Sequence, residues 1–265
     1  MPASACAKGW FDDQDASTID VEAGSPGGEE ISEWRNKITD ATDHAIPRDF
    51  NNPDPWTSGP TYNSGQMMFT ALNSSVLDIQ LPAQHTGANL WCIIVGRIGP
   101  FSGGPDNVFV EFGNDGELAQ SNADSLTIMR NGTNYQIAVD RSGETDALSD
   151  TVPNATDDDR PGKSEFMLLV RCDGTNKIVR TNGVLSDTET STTAFDITRV
   201  RLGARGDDNS SYDLKGTLRA IVYGTCALTD EDVEKLEGFM AHWRGKPTEF
   251  LPTTHTHYSS APMTS

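Results

Sequence analysis

Gly216-Thr217-Leu218-Arg219-Ala220-Ile221-Val222-Tyr223-Gly224 runs through Cys226-Ala227-Leu228 into Thr229-Asp230-Glu231-Asp232-Val233, and the segment closes at Trp243-Arg244-Gly245. The stretch Thr217 to Tyr223 is short, apolar and rich in β-branched residues, which fits a buried strand. Beyond Thr229 the apolar period becomes helical. Val233, Leu236, Phe239, Met240 and Trp243 fall on one helical face. Thr229 is placed to cap the helix, and Asp232 completes a weak capping box. Asp230 and Glu231 suit the positive end of the helix dipole. Arg244 lies in the last turn, Gly245 can take the left-handed position, and Pro247 stops the helix. A helix is therefore predicted over 229–244. Its acids Glu231, Asp232, Glu234 and Glu237 are assigned to the polar side. Its apolar stripe needs a surface, and a sheet is the only candidate.

Working back from this end, strands succeed one another with turns between them. Leu90 to Val95 is a continuous apolar run, as expected where both faces are covered. Asn107 to Phe112 alternates, with Val108, Val110 and Phe112 predicted to face one way. Leu126 to Met129 and Tyr135 to Val139 flank Asn131-Gly132, a hairpin signal. Phe166 to Arg171 and Lys177 to Arg180 flank Asp173-Gly174, and Asn182-Gly183 reverses the chain again. Val200 to Gly203 adds another strand, and Ile31 to Ile38 is open to strand or short helix. Residues 47–65, with four prolines, and the polar stretch 141–164 read as long loops. Such a series means a β-sandwich or barrel.

The chain has 265 residues, 35% of them hydrophobic, with 24 Gly and 14 Pro, which suits one large turn-rich β domain. A net charge of -19 disfavours partners with phosphate backbones and anionic membrane surfaces. No stretch is long and apolar enough for a membrane-spanning helix, and the first residues lack the apolar core of a signal peptide. Synthesis in a cytoplasm is therefore expected, with exit only by another export route or by cell lysis. Cys6, Cys92, Cys172 and Cys226 show no metal-like spacing. Cys92 and Cys172 lie in apolar runs and read as buried thiols.

Catalytic signatures are sparse. Glycoside hydrolysis needs two carboxylates flanking the bond. No strand carries such a pair; Glu111 stands between Val110 and Phe112 without a second acid. No Gly-x-Ser-x-Gly elbow occurs. His242 beside Trp243, and His255 and His257 near the end, read as surface residues. No catalytic residue and no organic cofactor are therefore assigned. Calcium is the ion the loop acids would suit, with Asp157, Asp158, Asp159, Asp207 and Asp208 as candidate ligands, and Asp106-Asn107 as a further oxygen-rich pair. Arg205-Gly206-Asp207 spells an adhesion tripeptide and is read as chance.

Trp10-Phe11-Asp12-Asp13-Gln14-Asp15-Ala16-Ser17-Thr18-Ile19 resembles the opening of laminin-G-like, concanavalin A-like domains found in phage and bacterial surface proteins. Ile31-Ser32-Glu33-Trp34-Arg35-Asn36-Lys37 is similar to the family's next tryptophan motif, and Pro60-Thr61-Tyr62 to its "R-P-T-Y". The end is similar as well: Arg201-Leu202-Gly203-Ala204, Gly216 to Tyr223, Ala227-Leu228-Thr229-Asp230 and Trp243-Arg244-Gly245. The resemblance covers 9–245. It implies an all-β, two-sheet antiparallel jelly-roll sandwich with one C-terminal amphipathic helix, whose first and last strands lie near each other. Residues 1–8 are then an N-terminal arm and 246–265 a polar C-terminal tail.

This fold hosts lectins, hydrolases and structural modules, so it does not fix one function. A surface-protein fold without an export signal points to a particle. The expectation is a non-enzymatic bacteriophage virion protein, a capsid decoration protein or tail or fibre module. It would pack on neighbouring virion subunits through its arms and form a homo-oligomer, without nucleic acid and without membrane insertion. The alternative is a carbohydrate-binding adsorption module for host surface glycans, with glycan hydrolysis third.

Overall fold

Leu90 to Val95 is apolar on both sides because both sides are covered. Leu90, Cys92 and Ile94 enter one core, while Trp91, Ile93 and Val95 enter another on the opposite face. A computed structural model describes residues 6–22, 29–38, 43–47, 60–63, 66–69, 76–98, 108–114, 125–130, 136–141, 144–150, 165–204 and 214–262.

The described residues form two antiparallel sheets, of eight and nine strands. In the eight-stranded sheet, β1 (Ala7–Asp12) pairs with β17 (Gly216–Gly224), and β17 with β8 (Asn89–Ile98). Then come β13 (Phe166–Asp173), β14 (Asn176–Thr181) and β15 (Val184–Thr190). β5 (Thr61–Asn63) and β6 (Gln66–Phe69) attach at the far end of β17. The nine-stranded sheet begins with β2 (Ile19–Glu22), β3 (Glu29–Trp34) and β4 (Ala45–Ile46). It continues through β7 (Leu77–Gly87), β16 (Phe195–Leu202), β9 (Val108–Gly113), β10 (Leu126–Arg130), β11 (Ile137–Asp140) and β12 (Ala147–Leu148). β3 also pairs with β5, which joins the two sheets. The two-sheet antiparallel sandwich expected from the sequence is the fold observed.

The larger core lies between the sheets. Phe11, Trp34, Ile94, Phe109, Phe112, Phe166, Leu168, Ile197, Val200 and Tyr223 meet there. The smaller core lies on the outside of the eight-stranded sheet, under α1 (Asp230–Trp243). Val233, Leu236 and Met240 cover Trp91, Ile93, Met167, Leu169 and Val222. Thr229 and Asp232 form the full reciprocal capping box, and Gly245 takes φ 69° after the helix. Asn182 and Gly183 both have positive φ, 49° and 75°, as a tight hairpin requires.

Four expectations change. Val108 does not share a face with Val110 and Phe112. A register shift in the β9–β10 ladder turns it outward to Met129 and Ala138, and Phe109 enters the inner core instead. Glu237 is not on the polar side of α1; it is fully buried, with Arg180 Nε and Nη2 at 2.8 and 3.0 Å from its carboxylate. The described part of the polar segment after 245, residues 246–262, packs on its own domain rather than projecting. It opens with α2 (Pro247–Phe250), Phe250 and Leu251 join the helix-side core, and His255, far from being a surface residue, is buried and donates to Glu237 at 3.2 Å. Within 141–164, the described residues include the short strand β12.

The N-terminal motif is fixed by charge as well as by pairing. Asp12 accepts from Arg244 Nη1 at 3.0 Å and from Trp243 Nε1. Asp13 lies 2.8 Å from Arg244 Nη1 and 2.7 Å from Arg219 Nε. Trp10 stands edge-on to Phe239 and Trp243, with Lys37 Nζ over the indole rings of Trp10 and Trp243 at 4.6 and 4.7 Å. Cys6 and Cys226 form a disulfide, while Cys92 and Cys172 are buried free thiols.

Candidate functional site

In a sandwich, the outer face of a sheet usually meets water through scattered polar side chains. The outer face of the nine-stranded sheet is built differently. Asp78 of β7 is paired in register with Arg201 of β16, Arg201 with Glu111 of β9, Glu111 with Thr127 of β10, and Thr127 with Asp140 of β11. Residues in one register across neighbouring strands form a row on one face. Asp78, Arg201, Glu111 and Thr127 are each no more than 2% exposed.

The Asp78 end of the row is held by charge-assisted hydrogen bonds. Arg201 grips Asp78 through Nε at 2.9 Å and Nη2 at 3.2 Å. Arg199, from the next register, adds a bond to Asp78 at 3.2 Å. A planar guanidinium fork on a carboxylate fixes both groups in angle as well as distance. Beside this buried base lies a more accessible polar edge. Thr198 Oγ1 donates to Asn114 Oδ1 at 3.1 Å, and Asn114 Nδ2 donates to Asp196 Oδ2 at 3.2 Å. Gln84 also donates to Asp196, and Gln80 to the Thr198 carbonyl. Planar amides and carboxylates locked by one another present fixed donors and acceptors, which is what recognition of hydroxyl groups requires.

The sequence hides this arrangement because its members come from separate strands. Glu111 lacks a second acid on its own strand, yet shares its row with Asp78 through Arg201. The available signal was alternation. Asp78, Glu111 and Arg201 each interrupt an apolar strand at a position facing away from the core.

Two other polar clusters have structural roles. The Asp12–Asp13–Arg244–Arg219 group ties the first strand to the helix end. The Arg180–Glu237–His255 group ties the last segment to the helix. Asp146, although exposed, is pushed up to about 6 by partial desolvation of its carboxyl and by neighbouring Asp140.

The calcium candidates Asp157, Asp158, Asp159, Asp207 and Asp208 lie outside the described residues, as do Asp106-Asn107 and the Arg205-Gly206-Asp207 tripeptide. Among the described residues no group of three or more His, Cys, Asp or Glu is placed to hold a metal ion. No described helix is long and apolar enough to cross a membrane.

No protein-family model and no curated protein matches this sequence. Solved structures do match in fold. Trypanosoma rangeli sialidase aligns with a TM-score of 0.55 at 11% identity, over 86% of this chain and 32% of the sialidase. Its complex with 2,3-difluoro-KDN gives 0.55 at 10% identity, over 86% and 32%. A mutant of that sialidase displaying trans-sialidase activity gives 0.53 at 10%, over 87% and 32%. The chain thus spans about a third of the length of these proteins.

The likeness shows the fold, and it overturns the expectation of a non-enzymatic chain. That expectation rested on the absence of paired carboxylates along one strand. The architecture occurs within sialidases, which are enzymes.

Proposed function

We propose that this chain is a carbohydrate-binding module that recognises surface glycans at the polar edge of its nine-stranded sheet, through Asn114, Asp196 and Thr198. The observation that carries this reading is the half-buried hydrogen-bonded network of Asn114, Asp196 and Thr198, joined by the exposed Gln84 and set against the buried row Asp78–Arg201–Glu111–Thr127. Pre-organised donors and acceptors lose little entropy when a flexible, hydroxyl-rich ligand docks. The fold likeness to part of a sialidase supports a role among sugars. So does the resemblance of the two ends to concanavalin A-like domains of phage and bacterial surface proteins, in which adsorption to a host surface is a natural task. The arms give less support to clamping neighbouring subunits, because the described parts of both pack on this domain.

A glycan array, probed with and without calcium, tests the reading. Binding to a defined subset of glycans is expected. The double substitution Asn114→Ala with Asp196→Ala should weaken it about tenfold, the effect of losing one or two net hydrogen bonds. An array that stays blank in both conditions overturns the proposal.

A further inference from the structure

β7 and β16 pair regularly as far as Gln80 opposite Arg199, and pairing resumes at His85 opposite Ile197. Thr198 alone therefore faces the segment Leu81-Pro82-Ala83-Gln84, which leaves the ladder as a wide bulge. Pro82 suits the break, since it has no N–H to give to a ladder. Bulges of this kind re-aim side chains and are common beside binding sites.

Here the bulge walls a cavity of about 280 Å³. The cavity draws on both sheets. Lys8 of β1 and Thr225, just after β17, come from one; the bulge, His85 and Asp43, just before β4, come from the other. Asn36 Nδ2 donates to Asp43 Oδ2 at 2.8 Å and fixes that carboxylate. His85 Nε2 lies 2.9 Å from the Asn89 carbonyl, which can only accept, so Nε2 carries the proton. In the neutral ring Nδ1 is then an acceptor. Burial holds the imidazole below its ordinary pKa, and Lys8 acts in the same direction.

The chemistry of the cavity narrows its ligand. Leu81, Pro82 and Ala83 give an apolar side that suits the C–H face of a sugar ring. Lys8 donates, Asp43 and His85 Nδ1 accept, and the Thr225 hydroxyl does either. Hydroxyl groups, which donate and accept at once, satisfy such a mixture. Lys8 and Asp43 offset each other, and the net charge of -19 disfavours an anion while Lys8 disfavours a cation.

We infer that this end pocket holds one neutral sugar residue, the terminal unit of the glycan bound at the adjacent polar edge. Gln84 joins the two, since it lines the pocket and donates to Asp196 at the edge of the polar network. The inference rests on the sugar-binding reading.

The test is a titration of the full chain with the methyl glycosides of glucose, galactose, N-acetylglucosamine and arabinose, monitored through the His85 imidazole resonances. At least one sugar should shift them saturably with Kd in the range of about 1–10 mM, typical of a single small contact set. Ala83→Trp fills the pocket from an exposed position outside the ladder and should weaken that sugar more than about tenfold. Lys8→Gln should weaken it less, because the charge is lost and a donor kept. The pocket is refuted if none of the four sugars moves His85, or if Ala83→Trp leaves the affinity unchanged. A positive glycan array with a silent His85 removes the pocket alone, whereas a blank array removes the sugar-binding reading beneath it.

Discussion

Asp12 and Asp13 are adjacent, both fully buried, and held by the same arginine. Arg244 reaches both carboxylates with one nitrogen, so its loss would strand two buried charges at once. Arg244→Met is expected to cost about 3–5 kcal/mol, the range for breaking a buried pair. Urea denaturation measures this, and a loss below about 1 kcal/mol would assign the closure to packing alone. Asp146 gives a pH signature. Its folded pKa of about 6 exceeds the ordinary 3.8, so the folded state holds the proton more tightly. The contribution is fully present below the unfolded value and is lost as pH rises through about 6. Asp146→Asn should lessen the fall in Tm between those two values, the remainder coming from Asp13, whose carboxyl burial also raises to about 6, and an undiminished slope would place the proton elsewhere.

At the scale of elements, the first strand is attached three ways: by its ladder with β17, by the aspartate–arginine lock, and by the Cys6–Cys226 disulfide, which spans a sequence separation of 220. A cross-link of that span limits the unfolded chain and typically contributes about 2–4 kcal/mol. The double variant Cys6→Ser with Cys226→Ser should therefore melt several degrees lower, and reductant should lower the wild type to match it. A variant that melts with the wild type would mean that ladder and lock hold β1 unaided. The helix shows the complementary lesson. Its start and stop were legible because capping and the left-handed glycine are local chemistry. The inward turn of Glu237 was not, because its partner Arg180 arrives from a strand 57 residues away.

Over the whole molecule, the sequence by itself determined the class of fold. Alternation and turn residues act over a few positions, so strands, hairpins and the amphipathic helix could be read directly. The motifs at 10–37 and 201–245 marked the two ends, and the structure explains why they read so clearly. Trp10, Asp12, Asp13 and Lys37 meet Trp243 and Arg244 in one cluster, so each motif is half of a single joint. Only the tertiary structure decided what the sheets carry. Asp78, Glu111 and Arg201 become a row through strand order and register, and the pocket by His85 exists because β7 breaks step with β16. Register between distant strands is set by the packing of the whole core, and no short window of sequence contains it.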